Sequence, residues 1–416
     1  MELALITLVI GLLIFSAYLF SSIFDKFQIP DVLFLLVIGL VLGPITNLVD
    51  IKEFGILGNV FATLTLLIIL FDAGLGIKVK GLLKTVTRAT LLMFITLIGS
   101  ILVVTPIGYY FFGLSIIYSA LIGLIVGGIS AGIVIPIAEK LSIKEETRDM
   151  LALESNVNDI VTVTAVLAIV SFLNNGFFDL EKFSINFGLG FLTALIVGIF
   201  IAVIWSQLIR NIRNIQNNIF MTPALVLIVF GASELLGIPG VIAAFAFGIT
   251  LGNLQFVKNE KLPEIINFQE FKLTNWEKNM FSGFVFLLKT YFFVYIGLSI
   301  PLNDTFLIVS GAGITVLLFL VRYLAVHIIP NSNIPSFDKS VLVRLLPKGL
   351  VGAALVTLIN NQLVQDLTYS IILFSIVFTS ILIFLLPSDK DKLLEVTNPE
   401  LIKEGDKPDL DPTVIS

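Results

Sequence analysis

The sequence predicts an all-helical protein that crosses a membrane about thirteen times. Of its 416 residues, 57% are hydrophobic and only 13% are charged, whereas soluble domains carry about 25% charged residues. The mean hydropathy is +1.04, and the apolar residues form runs close to the roughly 20 residues that a spanning helix needs. These observations exclude a soluble domain and predict an integral membrane protein.

The predicted spans are separated by loops and a tail that hold most of the charged residues. The spans cover residues 3–22, 30–49, 56–75, 89–112, 115–137, 149–173, 185–209, 219–236, 239–254, 281–302, 305–329, 341–360 and 366–387. Residues 1–387 form the predicted transmembrane domain, and residues 388–416 form a predicted cytoplasmic tail. The first apolar run lacks the basic start and the cleavage site of a signal peptide, so we interpret it as a retained span.

Lysine and arginine are distributed unequally between the two sides of the predicted membrane. With the N-terminus outside, the cytoplasmic loops hold fifteen of these residues between Lys26 and Lys339, whereas the outer loops hold only Lys52 and Lys182. Positive charge is enriched in cytoplasmic loops. The distribution therefore predicts a cell-membrane protein with an outer N-terminus and a cytoplasmic C-terminus.

The residue inventory excludes several functional classes. The chain has no cysteine and a single histidine, His327, so disulfides, sulfur-ligated metals and a zinc site are excluded. No basic stripe is available to neutralise phosphates, which argues against nucleic-acid binding. We expect neither a cofactor nor an enzymatic activity.

An internal repeat relates two distant parts of the chain. Residues 29–44 (IPDVLFLLVIGLVLGP) agree with residues 238–253 (IPGVIAAFAFGITLGN) at six of sixteen positions, and AGLGI at 73–77 corresponds to IGLSI at 296–300. These matches pair span two with nine and span three with ten. Because an offset of seven spans is odd, the two copies run in opposite directions. The pattern predicts an inverted-topology repeat over residues 29–173 and 238–387, as in secondary transporters.

The repeat also predicts two broken helices that cross near the middle of the membrane. Span five contains GGISAG at 127–132 followed by Pro136, and the corresponding span twelve contains LPKG at 346–349 and Gly352. Irregular backbone at membrane depth is tolerated only where it packs in protein or lines a cavity. We expect opposed helix-dipole ends to meet at this crossing.

Charged and polar side chains occupy span six, where hydrocarbon makes them costly. In LESNVNDIV, residues 153–161, Glu154 and Asn158 are four residues apart, and so are Ser155 and Asp159. Glu154 and Asp159 are five residues apart, or about 140° around the helix, so they need not bind one partner. Ionisable residues at such depth predict a functional site.

The possible counter-charges at membrane depth are few. They are Lys289, Arg322, Arg344 and Lys348. Arginine keeps its proton and binds carboxylates through two bonds, so Arg322 suits Glu154, either as an architectural pair or in direct ion binding. Asp159 is then a free carboxylate able to hold a proton or a metal cation.

Other charged residues keep two interpretations each. Asp72 is either an indirect ligand or an interfacial carboxylate, and Lys289 either extends towards the membrane surface or belongs to the site. Lys348 is a counter-charge for the break in span twelve or a partner for a helix C-terminus; both roles are structural.

These motifs resemble the monovalent cation:proton antiporters, the sodium/proton exchanger superfamily, in its Asn-Asp branch. The resemblance covers most of residues 1–387 and includes Glu-Ser-x-x-Asn-Asp, FDAGL at 71–75, FFVYIGLSI at 292–300, VRYLAV at 321–326 and KGLVGAAL at 348–355. It implies an inverted-repeat bundle in a homodimer, Asp159 as the ion or proton ligand beside Asn158, and a structural pair of Glu154 with Arg322. Ser155, Ser130 and Asp72 complete the implied site, with Lys348 and Lys289 as accessory charges.

The sequence departs from the family pattern at the crossing. Ser130-Ala131-Gly132 stands where the best-known branch has Thr-Asp-Pro, so the aspartate that would offset the helix dipoles is absent. Lys348 replaces an arginine, and Asp72 replaces a glutamate. The serine and glycine are more similar to the potassium-efflux branch.

We therefore expect an antiporter that exchanges Na⁺, K⁺ or Li⁺ for H⁺ by alternating access and contributes to pH homeostasis. The charge count predicts one cation for one proton, because Asp159 alone changes its occupancy. The alternatives are a sodium-coupled symporter of a small organic acid, and a channel or non-transporting scaffold.

Overall fold

The protein is all-helical throughout the part of the chain that its computed structural model describes. The described residues are 11, 15, 31–49, 63–65, 67–72, 74–76, 79–175, 180–212, 221–254, 275–329 and 334–386. Most of predicted span one, the tail at 388–416 and many of the loop lysines lie outside these residues. Residues 63–65, 67–72 and 74–76 belong to a short apolar helix, α2.

The remaining helices are numbered with α2 in chain order. They are α1 Asp31–Leu40, α3 Val79–Phe112, α4 Ile116–Ile125, α5 Ala131–Lys140, α6 Glu145–Asn175, α7 Leu180–Ile212, α8 Met221–Leu235, α9 Gly240–Gly252, α10 Asn275–Ser299, α11 Thr305–Ile328, α12 Ser336–Arg344, α13 Leu350–Val356 and α14 Gln362–Phe384. A π-helical turn, Val41–Ile45, continues α1.

Six helical segments in the described residues are long and apolar enough to cross a membrane. They are Arg88–Phe112, Glu145–Val170, Leu189–Leu208, Ser282–Ser299, Thr305–Ile328 and Gln362–Phe384. Shorter apolar helices of 10–17 residues accompany them, at Val32–Ile45, Thr63–Gly76, Ile116–Ile125, Met221–Leu235 and Gly240–Gly252. The chain is thus a multi-span membrane protein. Several of the thirteen predicted spans correspond to short helices. Predicted span four, 89–112, matches the apolar segment Arg88–Phe112, although the helix that contains it begins at Val79.

Polar side chains fix where three of these helices begin. Ser115, Asp304 and Asn361 precede α4, α11 and α14, and each accepts a hydrogen bond from a backbone N–H in the first turn. The first four N–H groups of a helix have no partner within the helix. These caps therefore satisfy donors that would be costly to leave unpaired near a membrane surface.

The helix interruptions occur at the glycine-rich and proline-containing segments of predicted spans five and twelve. Residues 126–130 separate α4 from α5, and residues 345–349 separate α12 from α13. Pro136 does not break its helix, because it lies inside α5. Pro347, in contrast, lies within the second interruption.

Two helix pairs approach closely through glycines. In the internal repeat predicted from the sequence, the helices of one pair are equivalent to those of the other. Gly39 of α1 faces Gly297 of α10, with 2.8 Å from a Cβ built on Gly39 to the Gly297 Cα. Gly74 of α2 faces the backbone of α9 around Gly248 in the same manner, with its built Cβ 2.8 Å from the Phe245 carbonyl oxygen. Any side chain at these positions would collide with backbone, so only glycine permits the contact.

The helices form two groups. In the core group, α6 packs against α3, α4, α5 and α13, and α11 packs against α3, α12 and α14. In the flanking group, α1 packs on α10, while α9 packs on α7 and α8, and α2 joins this group through Gly74. The groups meet where α10 contacts α13 and α14, and where α1 contacts α14.

Candidate ion-binding site

The two helix interruptions contact each other directly. The Ser130 N–H, just before α5, donates to the Pro347 carbonyl at 3.0 Å. A Cβ added at Gly349 would overlap the Ser130 side chain, and one added at Gly352 would lie 3.2 Å from the Ile125 carbonyl oxygen. The small residues at 349 and 352 therefore allow the crossing to form.

Lys348 ties the second interruption to the first. Its side chain is 2% exposed, and its ammonium donates to the Gly128 carbonyl at 2.8 Å. Its backbone N–H donates to the Ser375 hydroxyl of α14 at 3.0 Å. The ammonium thus lies beyond the C-terminal end of α4, where the helix dipole favours positive charge.

Helix α6 carries four predicted site residues into the core group. Glu154, Ser155, Asn158 and Asp159 are all buried. They occupy the part of α6 that lies among α3, α4, α5 and α13. The polar segment is therefore enclosed by protein on several sides.

Arg322 binds Glu154 through both guanidinium branches. Its Nη2 donates to Glu154 Oε2 at 2.9 Å and its Nη1 donates to Oε1. Its Nε donates to the Leu342 carbonyl of α12 at 2.9 Å, and Nη1 also reaches the Thr96 hydroxyl of α3 at 3.5 Å. Arg322, which is fully buried, thereby links four helices through a single cation.

Asp159 has a different environment. Its side chain is 7% exposed, and within the described part of the chain it forms no hydrogen bond and no ion pair. Removal from water favours the neutral form of a carboxyl group. Asp159 is thus a buried carboxylate without a partner among the described residues, which makes it a candidate site for a cation or a proton.

Other polar side chains lie within about one turn of Asp159 along α6. Asn158 Oδ1 accepts a weak hydrogen bond from the Thr162 hydroxyl at 3.4 Å. A Cβ added at Gly128 would overlap the Asn158 amide, so Asn158 lies against the first interruption. The Ser155 hydroxyl donates to the Ala152 carbonyl at 3.1 Å, which leaves its oxygen able to act as a ligand.

Two predicted site residues lie in the flanking group. Asp72 is half-buried on α2, and the adjacent Phe71 stacks on Phe247 of α9 with ring centroids 5.3 Å apart. Lys289 is half-buried on α10. Asp72 and Lys289 therefore lie in the flanking group. The core group holds the other predicted site residues, namely the four residues of α6, Ser130, Arg322 and Lys348.

Three residues that contact the predicted site residues were not predicted from the sequence. Thr96, Thr162 and Ser375 supply hydroxyl partners to Arg322, Asn158 and Lys348 respectively. Only Thr162 carried a signal, because it lies four residues after Asn158 on the same helix face. Threonine and serine in apolar spans usually bond to their own helix, so their sequence gives no indication of a distant partner.

A family comparison decides the identity. The model of the family described as "Sodium/hydrogen exchanger, transmembrane" matches residues 11–387, which is most of the chain. The protein belongs to the sodium/hydrogen exchanger family. It is therefore a cation:proton antiporter of the membrane and not an enzyme.

Relatives of this exchanger differ in how much of the chain they match. The "Na(+)/H(+) antiporter 1" of Methanocaldococcus jannaschii is 23% identical over 389 residues, covering 88% of this chain and 86% of the relative. The "K(+)/H(+) antiporter NhaP2" of Shewanella sp. (strain MR-4) is 25% identical over 257 residues, covering 58% of this chain. Those residues span 43% of the length of that relative.

The fold of this exchanger is shared with a solved structure. The sodium proton antiporter MjNhaP1 from Methanocaldococcus jannaschii, solved at pH 8, superimposes with a TM-score of 0.74 at 19% sequence identity. The superposition covers 92% of this chain and the whole of that one. At this identity the likeness establishes a shared fold.

Proposed function

We propose that this exchanger moves Na⁺ or K⁺ in one direction and H⁺ in the other by alternating access, with Asp159 as the group that carries either ion. One observation carries the proposal: Asp159 is a buried carboxylate without a cationic partner in the described residues, while Glu154, five residues earlier, is paired with Arg322. The names of the sodium and potassium relatives support the choice of these two cations.

A lone buried carboxylate couples the two ions because its empty, charged state is unfavourable. Isolated charges are expensive to hold away from water, so the site changes its exposure readily only when a cation or a proton neutralises Asp159. The two ligands exclude each other on one carboxylate. Return of the site with the opposite ligand then makes the process an exchange.

The cation requires oxygen ligands besides the carboxylate. Ser155 and Asn158 flank Asp159 on α6, and Ser130 lies at the crossing that packs against this helix. Hydroxyl and amide oxygens suit a hard monovalent cation. Asp72, from the flanking group, is proposed to approach this site when the two groups move.

The charge count gives an electroneutral, one-for-one exchange. Glu154 is neutralised by Arg322, Asn158 carries no charge, and the Lys348 ammonium is bonded to a helix-end carbonyl. Only Asp159 then changes its occupancy in the cycle. One monovalent cation replaces one proton, and no net charge crosses the membrane.

An inverted repeat over residues 29–173 and 238–387 would supply the two alternating states. The contacts in the flanking group support it: Gly39 faces Gly297 in one helix pair, and their repeat equivalents Gly248 and Gly74 face each other in the second. Two pairs with matching contacts and opposite directions give a scaffold that looks alike from both sides of the membrane.

We also propose an orientation in the membrane and an oligomeric state for this exchanger. The lysine and arginine distribution supports a topology with the N-terminus outside and the C-terminus in the cytoplasm. We propose a homodimer in the cell membrane, with a role in pH homeostasis that follows from proton exchange. The predicted tail at 388–416 would be cytoplasmic.

Purified protein in liposomes tests the function. With an internal pH dye and an imposed pH gradient, addition of Na⁺ or K⁺ on one side should move protons in the opposite direction to the cation. Choline, a cation of similar charge without the same ligand chemistry, is the control. Absence of proton movement with every alkali cation would contradict antiport.

A further inference from the structure

A cavity of about 620 Å³ opens between the two helix groups at the end opposite the α5–α6 turn. It is bounded by the ends of α1, α10 and α13 and by the start of α14. Its lining contains amide, phenol and carboxylate groups, among them Asn47, Asn303, Gln362, Gln365, Asp366 and Tyr369. A polar cavity between the two groups is the place where an ion path from one membrane face would begin.

Asp366 supplies the negative charge of this cavity. Its carboxylate is half-buried, and Gln362, one turn earlier on α14, donates its side-chain N–H to Asp366 Oδ1 at 2.7 Å. No lysine or arginine is among the lining residues. The carboxylate therefore has a neutral donor and no ion-pair partner in the described part of the chain.

The glutamine amides are arranged so that their oxygens remain available. Gln362 uses its side-chain nitrogen for Asp366, and Gln365 uses its nitrogen for the Ile359 carbonyl at 2.7 Å. Each amide then presents an oxygen that has no intramolecular donor in the described residues. One carboxylate and several amide oxygens are suitable ligands for a partly hydrated monovalent cation.

Helix α14 connects this cavity to the crossing. Ser375, whose hydroxyl binds the Lys348 N–H, is nine residues beyond Asp366, which corresponds to about 13.5 Å along the helix. Tyr369, 3% exposed, lies between them and also lines the cavity. Asp366 and the crossing are thus linked through one helix, with Tyr369 between them.

We propose that the cavity is the outer vestibule of the ion path and that Asp366 is a cation-capture residue, which binds Na⁺ or K⁺ before it passes to Asp159. The inference rests on the proposed antiport and on the predicted orientation, which puts this end outside. A negative charge in a cleft with low-dielectric protein walls focuses the electric field and raises the local concentration of cations. Asp366 therefore determines affinity on one side of the membrane only.

Asp366→Asn tests the inference through a one-sided change in affinity. In liposomes with a sorted orientation, the apparent KM for the cation added at the cavity side should rise by about fivefold or more, since one attractive charge is lost. The KM at the opposite side and the maximal rate should match the unchanged protein. If Asp366 only stabilised α14, the substitution would change the KM on both sides of the membrane or lower the yield of folded protein.

Asp304→Asn is the matched control. Asp304 is exposed at the same end, does not line the cavity and caps α11 through the Leu307 N–H. Asparagine caps a helix about as well as aspartate, so this variant removes an equal charge with the fold preserved. If Asp304→Asn raised the KM as much as Asp366→Asn, general surface charge would account for the effect, and the capture role would be wrong.

Charge restoration provides a second, independent readout. Because the chain contains no cysteine, Asp366→Cys offers one reactive thiol. A membrane-impermeant sulfonate reagent added at the cavity side should lower the KM again, whereas an ammonium reagent of similar size should not. Equal effects of both reagents would overturn the role of charge.

The outcomes separate this inference from the antiport itself. If the unchanged protein exchanges ions while Asp366→Asn has the same KM on both sides, the capture role is wrong and antiport stands. If the unchanged protein moves no protons in response to any alkali cation, antiport itself is contradicted.

Discussion

Glu154 and Asp159 are carboxylates on the same helix, five residues apart, in different environments. Glu154 lies against Arg322, which holds it with two hydrogen bonds and is itself bonded to the Leu342 carbonyl. Asp159 is equally enclosed by protein but has no such partner in the described residues. Glu154 is thus neutralised within the protein, whereas Asp159 is the position that we propose binds the transported ion.

The difference shows how one helix can combine rigidity with ion exchange. A paired carboxylate fixes α6 to α3, α11 and α12, so the helix keeps its position when ions come and go. In the proposed cycle Asp159 can change partners, because no ion pair holds it within the described residues. Substitutions at Glu154 and at Asp159 should therefore have different effects.

The largest effect is expected for Asp159→Asn, which should abolish exchange. An amide cannot release a proton in return for a cation, although its shape suits the same space. Proton movement in liposomes should fall to the level of protein-free vesicles, with an unchanged melting temperature. Asp149→Asn, at an exposed position on the same helix, should remain active. Exchange above a few per cent in Asp159→Asn would show that another group carries the ion.

Glu154→Ala should act on stability. It strands the buried Arg322 guanidinium, and breaking such a pair costs about 3–5 kcal/mol. Thermal unfolding in detergent should show a large decrease in melting temperature. Removing Arg322 as well, in Glu154→Ala with Arg322→Ala, should cost less than the two single losses together. Strict additivity would mean that the pair is not coupled in the folded protein.

Gly128→Ala should have an effect of intermediate size, because Gly128 lies against the polar residues of α6. The added methyl would overlap the Asn158 amide, and overpacking of this kind costs about 1–3 kcal/mol. We expect slower exchange and weaker cation affinity. Gly132→Ala is the control, because its added Cβ meets only Ser130 Oγ at 4.0 Å. Combining Gly128→Ala with Asn158→Ala should recover stability by making room.

The smallest expected effect is that of voltage on exchange. With one proton moved for each cation, a membrane potential supplies no driving force, whereas each net charge moved would add about 2.3 kcal/mol per 100 mV. A pH gradient still contributes about 1.4 kcal/mol per unit. Clamping liposomes with potassium and valinomycin, with Na⁺ as substrate, measures this. A several-fold acceleration would indicate a second proton and would place Lys289 in the cycle.

Much of the helical architecture followed from patterns that the sequence displays locally. Long apolar runs identified the membrane-spanning helices because hydrocarbon tolerates little else. The interruptions at 126–130 and 345–349 coincide with Gly-Gly and Pro-Lys-Gly segments. The predicted span 89–112 agrees with the apolar segment Arg88–Phe112, whereas the additional first turns of α3 from Val79 have no apolar signal in the sequence. Pro136 is also not a break, because the chain at that point continues as helix.

The partner of a site residue could be predicted from the sequence only where few side chains were chemically suitable. Few cations are available at membrane depth, so Arg322 was a natural partner for Glu154. The bond from Lys348 to the Gly128 carbonyl was not specific in the sequence, because a lysine near a helix break can reach several carbonyls. The contact of Asn158 with Gly128 had no sequence signal, since it depends on how two interrupted helices cross.

By itself the sequence determined that the chain is helical, that it spans a membrane, which segments interrupt their helices and which residue types carry charge inside it. These properties follow from composition and spacing, which act over one or two helical turns. Tertiary structure alone decided that Lys348 binds the Gly128 carbonyl, that Asn158 lies against Gly128, and that Asp366 faces a polar cavity between the helix groups. Such outcomes depend on distances between residues up to 220 positions apart, and only the packing of whole helices sets those distances.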